Sequence, residues 1–191
     1  MIDSLFRKNS NFIQTYDSAL SKKECEILVN QFEKSDKKFV GKTSVGYRPD
    51  QKKCMQLCID LSDQNVVSTI VRPNLISCIE KYKKKYCDYL NYTSVWRYDN
   101  KASFQKYDGK EDGYKMWHCE HQPEEHTNKR IMAWMFYLND AKCGTEFYNS
   151  PKIRAKKGRC VIWPAFWTHI HKGVTPNIGL KYIITGWISY D

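Results

Sequence analysis

The sequence contains no apolar run long enough for a signal-peptide core or a membrane-spanning helix. Its first residues, MIDSLFRKNSNFIQ, mix charged and apolar side chains, and no later segment approaches the roughly 20 apolar residues that cross a bilayer. This absence argues against an integral membrane role. We therefore expect a soluble, cytoplasmic protein that does not engage a membrane.

Paired cysteines are also missing. The eight cysteines are scattered along the chain without a Cys-x-x-Cys motif, so their spacing does not indicate a structural zinc site. In an intracellular protein we expect reduced thiols rather than disulfides. No internal repeat, low-complexity linker or second domain is visible, and we predict a single domain over residues 1–191.

Positive charge is plentiful. Lysine and arginine number 31 against 21 aspartates and glutamates, for a formal net charge of +10. A basic surface attracts nucleic acid, acidic membranes or acidic substrates. No RNA-binding motif of aromatic and basic residues and no recognition helix accompanies the charge. Most of it is therefore interpreted as a solvated lysine-rich face, and nucleic acid stays an alternative partner.

The spacing of apolar residues changes near residue 92. Before it, Ser21-Lys22-Lys23-Glu24 is a capping box that opens a helix, a second helix is predicted to begin near Pro73, and residues 40–64 are interpreted as loop with a short strand. After it, alternating runs broken by turn residues predict antiparallel strands. The fold class is α+β, with helical support over about 1–91 and a barrel core over about 92–191. The predicted strands span residues 103–107, 116–120, 130–138, 145–148, 159–163, 168–171 and 181–188.

Candidate chemistry lies in the strand-rich half. His118 and Glu120 are two residues apart, so a strand would place both on one face. A third imidazole from a distant strand would complete the two-histidine, one-carboxylate triad of non-haem Fe(II) oxygenases, which leaves positions open for a co-substrate and O2. Taken alone, His-x-Glu is more often a surface pair. His169 and His171 share a predicted strand face, whereas His121 and His126 are interpreted as exposed loop or rim residues.

Three ordered segments carry a resemblance to a known family: FQKYDGKEDGYKMWHCEH, KRIMAWMFYLND and GTEFYNSPKIRAKKGRCVIWPAFWTHIHKGVTPNIGLKYIITGW. Over roughly residues 92–190 the sequence resembles the Fe(II)/2-oxoglutarate dioxygenases of the prolyl 4-hydroxylase type. The resemblance implies a double-stranded β-helix, a jelly-roll-like barrel with supporting helices. It also implies Fe(II) as the metal, with 2-oxoglutarate and O2 as co-substrates.

The same resemblance assigns roles to single residues. His118 and Glu120 match the His-x-Asp/Glu pair, and His171 matches the distal histidine, because the family's basic residue follows ten positions later at Lys181. Lys181 would pair with the distal carboxylate of 2-oxoglutarate, since a buried anion needs a cation. Relatives more often use arginine there. Tyr107 and Tyr137 resemble tyrosines that offer phenolic donors, with core packing as the alternative role, and Trp187 resembles an aromatic residue beside the site.

A proline in a peptide or protein is the leading substrate that the resemblance implies. Arg130 resembles an arginine that faces substrate, residues 40–64 are a candidate lid, and Glu124, Glu125 and Lys129 are candidate rim residues. Modified nucleic acid and small molecules are alternative substrates for the same chemistry. A third hypothesis is a non-enzymatic, cupin-like binding module. The oligomeric state is not fixed by the sequence.

Overall fold

The computed structural model describes residues 11–43, 46–176 and 179–191. The N-terminal ten residues of the predicted helical half lie outside the described residues. Within this part of the chain, the α-helices are α1 (Lys22–Lys34), α2 (Val66–Lys85) and α3 (Cys87–Leu90), and a 3-10 helix spans Trp167–His169. The strands are β1 (Gln14–Tyr16), β2 (Phe39–Val40), β3 (Lys52–Lys53), β4 (Met55–Asp60), β5 (Trp96–Asp108), β6 (Gly113–Tyr114), β7 (Arg130–Tyr137), β8 (Gly144–Phe147), β9 (Ser150–Arg154), β10 (Cys160–Pro164), β11 (His171–Gly173) and β12 (Leu180–Tyr190).

The strands form a large antiparallel sheet facing a small one. The large sheet has the order β1-β10-β7-β12-β5-β4-β2, and the small sheet has the order β11-β8-β9. A two-stranded ribbon, β3-β6, lies beside them. The arrangement confirms the predicted double-stranded β-helix supported by helices from the N-terminal half.

Alternation along the strands of the large sheet separates two cores. On β7, Trp134 and Phe136 pack in the core that faces the helices, whereas Met135 and Tyr137 belong to the core inside the barrel. Because strand side chains alternate with period two, the odd-numbered residues within 103–107 of β5, 133–137 of β7 and 181–187 of β12 face the barrel interior. A register shift at the start of β7 reverses the order there, so that Ile131 packs in the helix-facing core and Arg130 lines the cavity. This register decides which residues can reach a site inside the barrel.

Helices α1 and α2 cover the outer face of the large sheet. The predicted capping box is confirmed, because the Ser21 hydroxyl accepts from the Glu24 amide and the Glu24 carboxylate accepts from the Ser21 amide. Leu28 and Phe32 of α1 are fully buried against this sheet, and Phe32 contacts Phe104 of β5 with ring centroids 4.7 Å apart. Among the described helices, none combines the length and apolarity needed to cross a bilayer.

In the N-terminal half the predicted start of the second helix was wrong, whereas the short strand predicted within residues 40–64 is confirmed. Helix α2 begins at Val66 instead of near Pro73, because the Asn65 side chain caps it by accepting from the Val67 and Ser68 amides. Pro73 therefore lies inside the helix. Residues 40–64 are more ordered than predicted, since Met55–Asp60 pairs along its whole length with β5 in the large sheet.

Two predicted strands around the candidate site were also wrong. Residues 116–120 form no strand; within them His118 makes a single antiparallel bridge to His171. Residues 168–171 divide into the end of the 3-10 helix and the start of β11. The predicted strands within 103–107, 130–137, 145–147, 160–163 and 181–188 are confirmed.

Candidate metal and co-substrate site

The segment around His118 is held against β11 by the backbone. The His118 amide donates to the His171 carbonyl at 3.0 Å, and the His171 amide donates to the His118 carbonyl at 2.9 Å. The amide of Glu120 donates to the Ala165 carbonyl at 2.9 Å. These bonds place His118, Glu120 and His171 side by side. The side chains of His118 and Glu120 therefore lie together as predicted, although the segment that carries them is not a strand.

Both imidazoles are oriented by backbone carbonyls. Nδ1 of His118 donates to the Met116 carbonyl at 3.0 Å, and Nδ1 of His171 donates to the His169 carbonyl at 2.9 Å. Each ring therefore carries a proton on Nδ1, because a carbonyl can only accept, and Nε2 is the nitrogen that can bind a metal once it has lost its own proton. Metal-binding histidines are commonly fixed in this way by a partner on the other nitrogen.

Glu120 completes the group. Its Oε1 lies 3.6 Å from Nε2 of His118 and 3.4 Å from Nε2 of His171. One ligand atom from each of the three side chains lies within 4.8 Å of the others. Two nitrogens and one carboxylate oxygen, converging in a cluster with an open side, fit the donor set of a non-haem Fe(II) centre.

The second oxygen of Glu120 has its own partners. Trp187 Nε1 donates to Glu120 Oε2 at 2.8 Å, and Arg130 Nη1 lies 3.8 Å from the same oxygen. The Arg130 guanidinium stacks on the Trp187 ring, with Cζ 3.6 Å from the ring centroid. Trp187 thus contacts the carboxylate directly, and the pair of side chains leaves Oε1 facing the imidazoles.

Electrostatics favour the protonation states that a metal requires. Burial alone would raise the pKa of Glu120, but the hydrogen bonds and charges of His118 and His171 outweigh it and hold this pKa well below its usual value. Burial is the largest influence on His171 and lowers its pKa. An ionised carboxylate beside a neutral imidazole is the combination that binds divalent metal ions.

A cavity of about 300 Å³ extends from the three side chains into the barrel. Lys181 lines it and is only 2% exposed, and its ammonium donates to the Val174 carbonyl at 3.0 Å and lies 4.4 Å from the centre of the Tyr107 ring. Among the described residues, no carboxylate forms an ion pair with Lys181. Burial lowers its pKa to about 8. A buried cation without an anion, lining a cavity of ligand size, fits the carboxylate of a small dianion.

The two predicted tyrosines differ in position. Tyr107 lines the cavity, and its hydroxyl donates to Gln105 Oε1. Tyr137 does not line the cavity; its hydroxyl shares a hydrogen bond of 2.6 Å with Thr145 Oγ1, and it is Thr145 that faces the interior. Direct contact between Tyr137 and a ligand stays a prediction, and Thr145, which bonds to the Tyr137 hydroxyl, is the residue of this pair that lines the cavity.

The sequence predictions missed three residues that line the cavity. Tyr114 stacks on the His118 ring at 3.8 Å, and Trp163 packs edge-on against His171 with an indole N–H that finds no partner among the described residues. Lys52 lines the same cavity at 6% exposure. Trp163 could have been found from the sequence, because the apolar run VIWPAFW lies close to His169 and His171. Lys52 and Tyr114 could not, because the two-residue strands that carry them are too short to show a periodic pattern.

The remaining histidines lie away from the cluster or at its rim. His169 Nε2 donates to the Asn11 carbonyl at 2.7 Å, so its ring faces the N-terminal segment, although its own carbonyl orients His171. The shared strand face predicted for His169 and His171 was wrong. His126 is exposed at the mouth of the cavity, whereas His121 is half-buried, with Nδ1 3.0 Å from the Arg130 carbonyl.

Comparison with known proteins agrees with this geometry. Residues 102–189, which contain the three clustered side chains and Lys181, match the model of the 2OG-Fe(II) oxygenase superfamily. Over these residues the chain is similar to a superfamily of Fe(II)- and 2-oxoglutarate-dependent dioxygenases that use O2. Together with the convergent His-Glu-His donor set, the match supports this enzyme class, and the non-enzymatic, cupin-like hypothesis is set aside.

Comparison with solved structures shows that the chain shares its fold with prolyl hydroxylases. A prolyl hydroxylase from Trichoplax adhaerens, solved with a peptide fragment of a hypoxia-inducible factor, is 18% identical with a TM-score of 0.74, and covers 95% of this chain and 84% of its own. A prolyl-4-hydroxylase from Pseudomonas putida is 11% identical, with a TM-score of 0.68 and coverage of 95% and 94%. The viral collagen prolyl hydroxylase of Paramecium bursaria Chlorella virus-1, in its 2-oxoglutarate complex, is 17% identical, with a TM-score of 0.66 and coverage of 94% and 97%. No curated protein sequence matches the chain.

Proposed function

We propose that this oxygenase hydroxylates a C–H bond of a prolyl residue in a peptide or protein, and that His118, Glu120 and His171 hold the Fe(II). The observation that carries the proposal is one cavity with three convergent metal donors and a buried, anion-free Lys181 in its wall. We further propose that the helical half and the barrel form one domain, because α1 and α2 share a continuous apolar core with the large sheet.

Each protein group has a specific task in this proposal. The Met116 and His169 carbonyls keep Nε2 of the two histidines turned toward the metal. Trp187 and Arg130 engage Oε2 of Glu120, so that Oε1 is the oxygen offered to the metal. A single oxygen from Glu120 keeps coordination positions open, which a reaction with two further ligands requires.

When bound, Fe(II) would activate O2, which is the oxidant: one oxygen atom enters succinate as 2-oxoglutarate loses CO2, and the other converts a C–H bond to C–OH. Lys181 anchors the distal carboxylate of the co-substrate inside the barrel. The apolar surroundings of Lys181 and Tyr107 exclude water from that end of the cavity, which strengthens the ion pair. The protein therefore contributes positioning and a dry pocket.

Support for a prolyl substrate comes from the similar structures and from the rim of the cavity. The stacked Arg130 and Trp187 line the cavity together with Glu124, whereas Glu125 and Lys129 are exposed and do not line it. Lys42 and Thr43 of the proposed lid segment contribute to the wall. An extended peptide crossing this mouth would meet both sides of the rim.

The direct test is succinate release by the Fe(II)-loaded enzyme with a panel of proline-containing peptides, their alanine counterparts, and single-stranded and duplex oligonucleotides with and without alkylated bases. We expect proline-dependent succinate formation, a product 16 mass units heavier, and complete loss of both in His118→Ala. Stimulation by alkylated nucleic acid alone would contradict the prolyl assignment and would instead favour the nucleic-acid alternative.

A further inference from the structure

A second buried lysine, Lys52, lines the same cavity as Lys181. Lys52, Cys54 and Gln56 alternate along β3 and β4, and Lys52 and Gln56 both line the cavity. The Lys52 ammonium donates to Gln56 Oε1 at 3.0 Å and to the Lys42 carbonyl at 3.2 Å, and it lies 5.4 Å from the centre of the Tyr114 ring. Because Tyr114 stacks on His118, this cation belongs to the metal end of the cavity.

The other buried charges around the cavity already have partners or assigned roles. Arg130 pairs with Glu120, and Lys181 is the proposed partner of the distal carboxylate of 2-oxoglutarate. No carboxylate of the described residues forms an ion pair with Lys52, whose acceptors are both neutral oxygens. Burial accordingly lowers the pKa of Lys52. A desolvated ammonium with only neutral partners is unfavourable unless a ligand brings the missing charge.

The missing anion has to come from the substrate. Of the two carboxylates of 2-oxoglutarate, one belongs at the metal with the keto group and the other at Lys181, so the co-substrate offers none to Lys52. Lys52 is only 6% exposed and lines the cavity, which favours a compact carboxylate that can enter the cavity over a phosphate of a nucleic-acid backbone that would stay at the surface.

We propose that Lys52 is a specificity residue that binds a carboxylate of the substrate close to the carbon that is hydroxylated. The inference rests on the proposed function and narrows its substrate class. The carboxylate could belong to an acidic side chain next to the prolyl residue, to a C-terminal proline, or to free proline. All three sources offer a carboxylate to the Lys52 ammonium, and binding to matched acids and amides distinguishes them.

The test is calorimetric binding to the enzyme loaded with Fe(II) and 2-oxoglutarate without O2, so that no turnover occurs. The probes are blocked peptides with Asp or Asn beside an internal proline, peptides ending in proline as free acid or amide, and free L-proline or its amide. We expect at least one acid to bind about 10- to 100-fold more tightly than its amide, the range for a hydrogen bond to a charged group. Lys52→Met and Lys52→Gln should remove that preference and leave 2-oxoglutarate affinity unchanged.

Lys53→Met is the matched control. Lys53 is the next residue in the chain, but it does not line the cavity, and its Nζ lies 3.7 Å from Oδ1 of Asp112. Loss of its charge should therefore leave the acid preference intact. Equal affinity of the wild-type enzyme for every acid and its amide would overturn the inference, as would a loss of 2-oxoglutarate binding in Lys52→Met. Binding of oligonucleotides that depends on Lys52, without any acid preference among the peptides, would also overturn it and would point to phosphate.

Admitting O2 then separates this inference from the proposed function. Hydroxylation of neutral prolyl peptides without an acid preference would overturn the role of Lys52 and retain prolyl hydroxylation. Acidic peptides in which alanine replaces the proline are added at this step. Hydroxylation of these peptides but of none of the prolyl probes would retain the carboxylate site and overturn the prolyl substrate.

Discussion

Replacing Lys181 by methionine should stabilise the ligand-free protein while it removes co-substrate binding. Burial lowers the pKa of Lys181 from 10.5 to about 8, and at about 1.4 kcal/mol per unit this corresponds to a penalty of roughly 3 kcal/mol for keeping the folded protein charged at neutral pH. Methionine fills similar space without charge but loses the hydrogen bond to the Val174 carbonyl, worth about 1 kcal/mol. We expect Lys181→Met to raise the free energy of unfolding by about 1–2 kcal/mol.

The pH dependence has a definite sign. Because the folded pKa is below the unfolded one, the penalty is complete below about pH 8 and disappears as the pH rises to 10.5. Wild-type stability should therefore approach that of Lys181→Met between those values. Urea unfolding of both proteins at pH 7 and pH 10 measures the difference between their free energies of unfolding. The other titrating groups are the same in both proteins, so their contributions cancel in this difference.

Co-substrate binding supplies the other half of the test. Loss of the cation should weaken 2-oxoglutarate binding by about 2–5 kcal/mol, the usual effect of leaving one member of a buried charge pair alone. Saturating 2-oxoglutarate should thus raise the unfolding midpoint of the wild type but not of the variant. A variant that is less stable than the wild type at pH 7, or one that keeps its 2-oxoglutarate affinity, would refute the reasoning.

Three further predictions concern the support of the site and the fold. Trp187→Phe removes the indole N–H that donates to Glu120, and Fe(II) binding should weaken by about 10- to 100-fold. An anaerobic titration measures this affinity, and an unchanged value would contradict the prediction. Ser21→Ala removes the α1 cap and should lower the free energy of unfolding by about 1 kcal/mol, whereas Lys22→Ala, which keeps the cap, should change it little. Gly144→Ala places a methyl 1.8 Å from the Ile153 carbonyl oxygen and should yield little folded protein; a normal melting curve would contradict the close approach of β8 and β9.

Much of the barrel could be predicted because its strands follow a local rule. Short strand-like runs bounded by Gly, Pro, Asn and Asp identified the segments that became β7 and β12, and these carry Arg130, Lys181 and Trp187. The ten-residue interval that the family resemblance supplied singled out His171, which the structure brings next to His118 and Glu120.

Other parts could not be read from local pattern because long-range contacts determine them. His118 and Glu120 are aligned by bonds to His171 and Ala165, which lie far away in sequence, and no strand is needed. Lys52 looks like one more surface lysine in a lysine-rich chain, and its burial results from the pairing of β3 with β6 and the packing of Tyr114. The start of helix α2 is set by the Asn65 cap, so that Pro73, a residue suited to a first turn, lies inside the helix.

The most direct test of the account is the Fe(II) stoichiometry of three proteins titrated without O2. The account predicts one Fe(II) per chain for the wild type, none for His171→Ala, and one for His169→Ala, whose ring faces the Asn11 carbonyl instead of the cavity. Iron retained by His171→Ala, or lost from His169→Ala while the protein remains folded, would contradict the assignment of the metal centre.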